Sequence, residues 1–292
     1  MKELRSLMRG ARAYIIITIY LVLMGALVGL VYGIYASAKD VVSATTTNQT
    51  IGKAVFATVV GMQWMMVCFL APGLTAGALS AERERQTYDL LRTTLLPAHS
   101  LVEGKLSTGI LFLVMLLVGG FPLLSLSFFL GGISIEEVII AFSMLTVSAI
   151  LFSSLGLFIS SFVKTTLSST VVSYVLTLLI IFGIPILLFV LLLMISLVTG
   201  SNLNLTQFQE NLLQIILVTI GYFLVSANPI AAAIASEIML IEEQSFFFAQ
   251  LPLSNNVKYP IISPWIVFII MAALVSFLLI KISILNVRKV ER

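Results

Sequence analysis

Residues 80–105 read SAERERQTYDLLRTTLLPAHSLVEGK and contain the densest cluster of charge in the chain. The runs on either side, 54–81 and 106–135, contain no Asp, Glu, Lys or Arg. Each run is long enough to form a helix that crosses about 30 Å of hydrocarbon, which takes about 20 apolar residues. The pattern therefore predicts two membrane-spanning helices joined by one charged segment that lies in water.

The composition of the whole chain agrees with this interpretation. Of the 292 residues, 60% are hydrophobic and only 10% are charged, and the mean hydropathy is +1.13. A globular domain in water needs far more charge on its surface. The formal net charge is only +3 and no nucleic-acid-binding motif occurs, so no nucleic acid is expected as a partner. The predicted fold class is an all-α polytopic membrane protein.

Charge-free windows elsewhere in the chain predict further spans, because ionisable side chains are costly inside a bilayer. We expect six spans, near residues 13–36, 54–80, 104–131, 137–163, 167–198 and 261–284. A seventh apolar run, 211–227, is shorter and ends at Asn228-Pro229, where proline stops a helix. We interpret this run as part of a re-entrant or interfacial hairpin within one long outer segment, 199–260.

The distribution of Lys and Arg predicts the orientation, since the cytoplasmic loops of membrane proteins are enriched in these residues. With the N-terminus inside and six spans, 13 of the 16 Lys and Arg residues lie inside, and only Lys39, Lys53 and Lys258 lie outside. Both termini and the charged segment 80–105 are therefore expected in the cytoplasm. A full crossing by 211–227 would place the basic C-terminal tail outside, which argues against a seventh span.

The residues that the predicted spans lack disfavour several classes of function. The spans contain essentially no ionisable side chain at mid-depth, whereas ion-coupled transporters usually use such groups as relays or binding sites. The chain has one cysteine, Cys68, and one histidine, His99, so we expect no internal disulfide, no metal site and no catalytic residue. Energy for active transport would have to come from another source.

Glycines recur at every fourth position in two of the predicted spans. Gly25, Gly29 and Gly33 have this spacing in the first span. Gly73 and Gly77 repeat it in the second span. Small residues four apart leave a flat groove that a second helix can approach closely. We predict helix packing at both grooves, against a helix of this chain or of a second protomer.

The charged segment predicts a short amphipathic helix over residues 82–96. Tyr88, Leu91 and Leu95 fall on one stripe at helical spacing, and Pro97 ends the pattern. Glutamate in the first turn suits the helix dipole. The alternative is a solvated loop whose charges only anchor the topology, and the residues by themselves favour neither interpretation.

Two stretches of the chain resemble the ABC-2-type permeases of ABC transporters. Residues 82–91 have the pattern Glu-x-Glu-x-x-Thr-x-x-x-Leu, and Pro97 and then Gly-Lys at 104–105 follow it. The second stretch reads GLFISSFVKTT at 156–166, the inner turn between the fourth and fifth predicted spans. The proline follows its threonine at a different spacing from the commoner form of the motif. The six-span layout and the outer hairpin also fit the family.

The resemblance implies that segment 82–96 is a coupling helix, which sits in a cleft of the ATP-binding subunit of the transporter. Its arginines would face acidic or carbonyl groups there, and its leucines would pack. The residues that the resemblance implies in this coupling are Glu82, Arg83, Glu84, Arg85, Thr87, Tyr88, Leu91, Arg92 and Leu95.

The resemblance also implies partners. No G-x-x-x-x-G-K-[ST] loop occurs in the chain, so the chain is expected to bind no ATP and no other cofactor, and not to be an enzyme. ATP and Mg²⁺ are expected in a separate ATP-binding subunit. Two six-span protomers, identical or related, are expected to pair in the lipid of the cell (inner) membrane.

The sequence therefore predicts the permease subunit of an ATP-driven exporter. The charge-poor spans favour a hydrophobic or amphipathic substrate, such as a lipid, a drug or a peptide. The alternative function is a membrane scaffold or sensor that recruits a cytosolic ATPase and transports nothing.

Overall fold

Helices account for nearly all of the chain that the computed structural model describes, which is residues 11–37, 44–86, 97–200, 207–243, 246–252 and 258–290. The elements, in chain order, are α1 (Ala11–Ser37), α2 (Ala44–Thr75), α3 (Ser80–Glu84), α4 (Ala98–Gly119), α5 (Phe121–Leu130), α6 (Ile135–Phe162), α7 (Thr166–Leu178), a π-helical segment (Leu179–Gly183), α8 (Ile184–Gly200), α9 (Gln207–Ala227), α10 (Pro229–Glu243), β1 (Phe248–Pro252), β2 (Lys258–Ile262) and α11 (Pro264–Val290).

Six helical stretches of the described chain are long and apolar enough to cross a membrane. They are Tyr14–Ser37, Gln49–Glu84, Ala98–Leu130, Ile135–Phe162, Thr166–Met194 and Pro264–Arg288. The predicted all-α polytopic membrane fold with six spans is therefore confirmed. Helices α9 and α10 are bent by 111° at their junction, the geometry of a broken span or a re-entrant loop. The cytoplasmic placement of the termini stays a prediction.

The chain forms two compact units, and the first comprises residues 1–174 and 275–292. Within it α2 packs against α1, α4, α5 and α6. The contact between α2 and α6 is close because Gly156 in α6 has no side chain. A Cβ added at Gly156 would overlap the Thr75 hydroxyl oxygen and lie 3.2 Å from the Ala76 nitrogen. Small residues thus bring these two spans together, as expected inside a membrane.

A second close approach lies at the opposite ends of these helices. A Cβ added at Gly52 in α2 would overlap the carbonyl oxygen of Gly131, which follows α5. Gly131 and Gly132 have φ values of 82° and 91°, a backbone region that favours glycine. The next helix, α6, then begins at an N-cap, because the Ser134 hydroxyl accepts a 3.2 Å hydrogen bond from the Glu137 N–H.

The third predicted span is not one continuous helix. Helix α4 ends at Gly119, and α5 begins at Phe121 with Pro122 in its first turn. The side chain of Gln63 reaches this break from α2 and donates a 3.2 Å hydrogen bond to the Leu117 carbonyl. Gln63 is fully buried, so this polar side chain serves the protein interior rather than an open path.

The second compact unit comprises Val175–Leu274. Within it α8 packs against α9, and α9 packs against α10. Strands β1 and β2 pair antiparallel, with Phe248 opposite Ile262, a small element that the sequence analysis did not predict. The Trp265 indole N–H donates to the Phe246 carbonyl at 3.2 Å and so ties the start of α11 to β1.

The fit of α2 against α6 generates a stability prediction. We expect Gly156→Ala to lower the free energy of unfolding by about 1–3 kcal/mol, because the new methyl group overpacks a close backbone contact. Gly61→Ala is the matched control, since a Cβ at Gly61 meets nothing within 4 Å among the described residues. Thermal unfolding of the two variants in detergent checks this, and equal melting temperatures would contradict it.

Candidate functional site

The charged residues at the end of the second span begin in the short helix α3, after a turn over residues 76–79. The backbone at the start of α3 contacts α6, and the side chains of Glu82 and Glu84 contact α4 and α7. The charge distribution predicts that this end of the spans lies in the cytoplasm. We call this cluster the inner junction, and it consists of Leu79, Ser80, Glu82, Glu84, Lys105, Ser160 and Thr166.

Ser160 in α6 caps the start of α3 across the protein interior. Its hydroxyl oxygen accepts hydrogen bonds from the Leu79 and Ser80 N–H groups, both at 2.9 Å. The first N–H groups of a helix have no partner within the helix, and no side chain of α3 itself caps them. Leu79, Ser80 and Ser160 are fully buried, so water does not satisfy these groups either.

An apolar cluster packs around the same point. It brings together residues of the turn before α3 and of helices α4, α6 and α11. Its buried members are Leu79, Ala98, Val102, Leu106, Leu157 and Val287. The three from α4 lie four residues apart and therefore share one face of that helix. The start of α3 is thus held by packing as well as by hydrogen bonds.

An ion pair links α3 to α4. The Lys105 ammonium donates to a Glu82 carboxylate oxygen at 3.1 Å. The Lys105 side chain is 12% exposed and that of Glu82 is 29% exposed. Partial burial protects the pair from screening by salt, and loss of either partner leaves the other charge in a poorly solvated place.

Glu84 links α3 to the start of the fifth span. One of its carboxylate oxygens accepts hydrogen bonds from the Thr166 N–H at 3.0 Å and from the Thr166 hydroxyl at 2.6 Å. Thr166 is the first residue of α7, so an anion here also suits the positive end of the helix dipole. The contact is exposed, so its energy is small in salt.

The last span is tied to the fourth near the same end. The Asn286 side-chain amide donates to the Ser161 carbonyl at 2.7 Å. Ser161 directly follows Ser160 in α6. The cap on α3 and the hydrogen bond to α11 are therefore made by adjacent residues. Displacement of the inner junction would therefore reach the inner ends of spans three to six through short hydrogen-bonded links.

The structure corrects the predicted course of segment 82–96. The helix that contains Glu82 ends at Glu84, and a 3.1 Å hydrogen bond from the Gln86 N–H to the Arg83 carbonyl closes a turn. Gln86 has a φ of 57°, in the left-handed region, which is incompatible with a continued α-helix at this residue. One continuous helix from residue 82 onward is therefore wrong at its start, because this turn interrupts it.

The predicted coupling residues divide into two groups. Glu82 and Arg83 are partly buried, whereas Glu84 and Arg85 are exposed at the end of α3. Glu82 pairs with Lys105, and Glu84 accepts hydrogen bonds from Thr166. The others, Thr87, Tyr88, Leu91, Arg92 and Leu95, lie outside the described residues.

The predicted glycine grooves differ in their surroundings. A Cβ added at Gly25, Gly29 or Gly33 would meet nothing within 4 Å among the described residues, so the face of α1 is open. The same holds for Gly77. A Cβ at Gly73 would lie 2.7 Å from the Tyr174 hydroxyl oxygen, so Tyr174 packs in that groove. Packing of α1 against a partner helix stays a prediction.

Sequence reasoning assigned no role to Ser160, Ser161, Thr166 or Asn286. A signal was available for three of them, because Ser160, Ser161 and Thr166 fall in the 156–166 stretch that resembles the permease family. Asn286 lies two residues beyond the predicted last span, but its position in the sequence alone does not identify a partner.

Within the described ranges no three His, Cys, Asp or Glu side chains lie close enough together to hold a metal ion. Cys68 is buried in the second span. What the inner junction offers is an exposed, charged turn joined rigidly to several span ends.

Comparison with known proteins agrees with the motif. A family model described as ABC-2 type transporter matches residues 1–187, which include five of the six spans at least in part and the whole inner junction. No curated protein matches the chain significantly.

The cap on α3 generates a second prediction. We expect Ser160→Ala to lower the free energy of unfolding by about 1–3 kcal/mol, because two buried N–H groups lose their acceptor. Ser153→Ala is the control, since the Ser153 hydroxyl in the same helix is buried without a hydrogen-bond partner among the described residues. Size-exclusion profiles after a temperature series compare the two, and a larger loss in Ser153→Ala would overturn the assignment.

Proposed function

Because the chain belongs to the ABC-2 type transporter family, we propose that it is the permease subunit of an ATP-driven exporter whose ATP is bound by a separate chain. The observation that carries this proposal is the inner junction, where an exposed charged turn is anchored to the ends of spans three, four and five. Such a turn is suited to receive force from a cytoplasmic partner.

The partner is an ATP-binding subunit that holds ATP and Mg²⁺. This chain contains no G-x-x-x-x-G-K-[ST] loop. The turn at Arg85 and Gln86 is exposed and follows the last contact of α3 with the spans. We infer that the partner binds this turn and the residues after it. Closure of the ATP-binding subunits then moves the inner junction.

A second permease protomer completes the transporter. The open glycine face of α1 at Gly25, Gly29 and Gly33 supports this, because a close helix contact there needs a helix from elsewhere. Many large apolar side chains of the spans are also exposed, which suits contact with lipid or with a second protomer.

The interior of the spans supports a hydrophobic or amphipathic class of substrate. Their buried polar groups are mostly small hydroxyls, including Ser148, Ser154 and Ser173, which donate to carbonyls of their own helices at 2.7 or 2.8 Å. Such groups are a weak match for a highly charged substrate. A hydrophobic or amphipathic substrate such as a lipid, a drug or a peptide fits better.

The alternative function is a scaffold or sensor that recruits a cytosolic ATPase through the same turn. Co-purification of the tagged chain from its native host in mild detergent, with identification by mass spectrometry, tests both functions. A stoichiometric protein with a Walker A loop that hydrolyses ATP faster with the permease than alone supports the exporter. Recovery without an ATPase, where known ABC complexes survive, would contradict it.

The exposed turn generates a third prediction. We expect the Arg83→Ala/Arg85→Ala double variant to lower the permease-dependent ATPase activity of the reconstituted complex about tenfold, because charge-assisted contacts with the partner are lost. Arg85→Ala alone should give part of the effect, since Arg85 is exposed and its loss leaves the fold intact.

Arg288→Ala is the control for this measurement. Arg288 is also exposed and lies near the predicted cytoplasmic end of the last span, but it is outside the turn. We expect its ATPase activity to match the wild type. If the double variant keeps both its permease-dependent ATPase activity and its melting temperature, the turn does not contact the ATP-binding partner as proposed.

A further inference from the structure

The fifth span changes its helical pairing in its middle. Helix α7 runs into the π-helical segment Leu179–Gly183, and α8 then begins at Ile184 with Pro185 as its second residue. A π-helix pairs each carbonyl with the N–H five residues later, whereas an α-helix uses the N–H four residues later. Short π segments inside α-helices are rare and need a cause.

Pro185 supplies that cause because it has no N–H. In α-helical pairing, the N–H of residue 185 would donate to the Ile181 carbonyl. In π-helical pairing, the same N–H would donate to the Ile180 carbonyl. One proline thus leaves a different carbonyl without a donor in each register. In an apolar span each such carbonyl must find a partner within the protein.

Asn228 provides the partner for both carbonyls. Its side-chain amide nitrogen donates to the Ile180 carbonyl at 3.0 Å and to the Ile181 carbonyl at 2.9 Å. Asn228 is fully buried, so these bonds are made in a place without bulk water.

The same side chain also caps the next helix. Its carbonyl oxygen accepts hydrogen bonds from the Ile230 N–H at 3.0 Å and the Ala231 N–H at 2.9 Å, at the start of α10. Both amide hydrogens and both acceptor positions of Asn228 are therefore used. The residue lies at the corner where α9 and α10 bend by 111°.

We propose that Pro185 and Asn228 form a register hinge in the fifth span. Because one amide reaches both carbonyls, the span can change between α- and π-pairing at Pro185 while neither carbonyl loses a donor. The hinge joins the π-helical segment of the span to the corner between α9 and α10. Its use during transport rests on the proposed exporter function, whereas its existence is a property of this chain alone.

A double-mutant cycle on the full chain tests the hinge. Asn228→Ser removes the amide donors and keeps a hydroxyl that caps α10. Pro185→Ala restores the N–H that the Ile181 carbonyl lacks. We expect Asn228→Ser to lower the melting temperature by at least about 4 °C with Pro185 present. In the Pro185→Ala background we expect less than half of that shift.

Pro122→Ala is the matched control. Pro122 lies in the first turn of α5, and Asn228 donates instead to carbonyls of the fifth span. The control should leave the shift caused by Asn228→Ser unchanged. If Asn228→Ser alone yields no folded protein, recovery of folded protein by Pro185→Ala, and not by Pro122→Ala, is the expected result. Additive shifts in melting temperature, or no recovery of folded protein, would overturn the proposed link between Asn228 and Pro185.

Hydrogen exchange of the chain in nanodiscs tests the movement. Amides of residues 179–190 should exchange at least about tenfold faster in the wild type than in Pro185→Ala, since alternating registers open their hydrogen bonds. Equal exchange in the two proteins would overturn the hinge. Both measurements need only this chain, so they can succeed or fail independently of the ATPase partner and of the proposed exporter function.

Discussion

Hydrocarbon offers no hydrogen bonds, and this constraint governs several places where a described helix starts or breaks. A span satisfies its own backbone while it stays regular. Where it ceases to be regular, a buried polar side chain from elsewhere completes the missing bonds. Ser160 does so at the start of α3, Gln63 at the break before α5, and Asn228 at the π-helical segment and at the start of α10.

These side chains also determine where the molecule can transmit force. The regular parts of the spans are apolar. The inner junction is different, because Glu82 and Glu84 attach one short helix to two other spans by directional contacts. A charged turn at the end of an otherwise apolar structure is a natural place for a soluble protein to act. The family membership and this geometry support one another.

The sequence predicted the parts of the structure that depend on local composition. Absence of charge predicted six spans, and Asn228-Pro229 predicted a helix stop. It did not predict that the Asn228 amide binds carbonyls 47 and 48 residues earlier, nor that Ser160 caps a helix 80 residues earlier. Such contacts depend on how spans meet in three dimensions. The amphipathic pattern also suggested one helix beyond Glu84, whereas the structure has a turn at Gln86.

The central claim is that the turn after α3 meets an ATP-binding protein, and site-specific photocrosslinking in native membranes tests it most directly. A photoreactive residue at Gln86, which is exposed at the end of the inner junction, should capture a protein with a Walker A loop. The same group at Phe129, 88% exposed near the far end of α5, should capture none. Equal capture from both positions, or capture from Phe129 alone, would contradict the account.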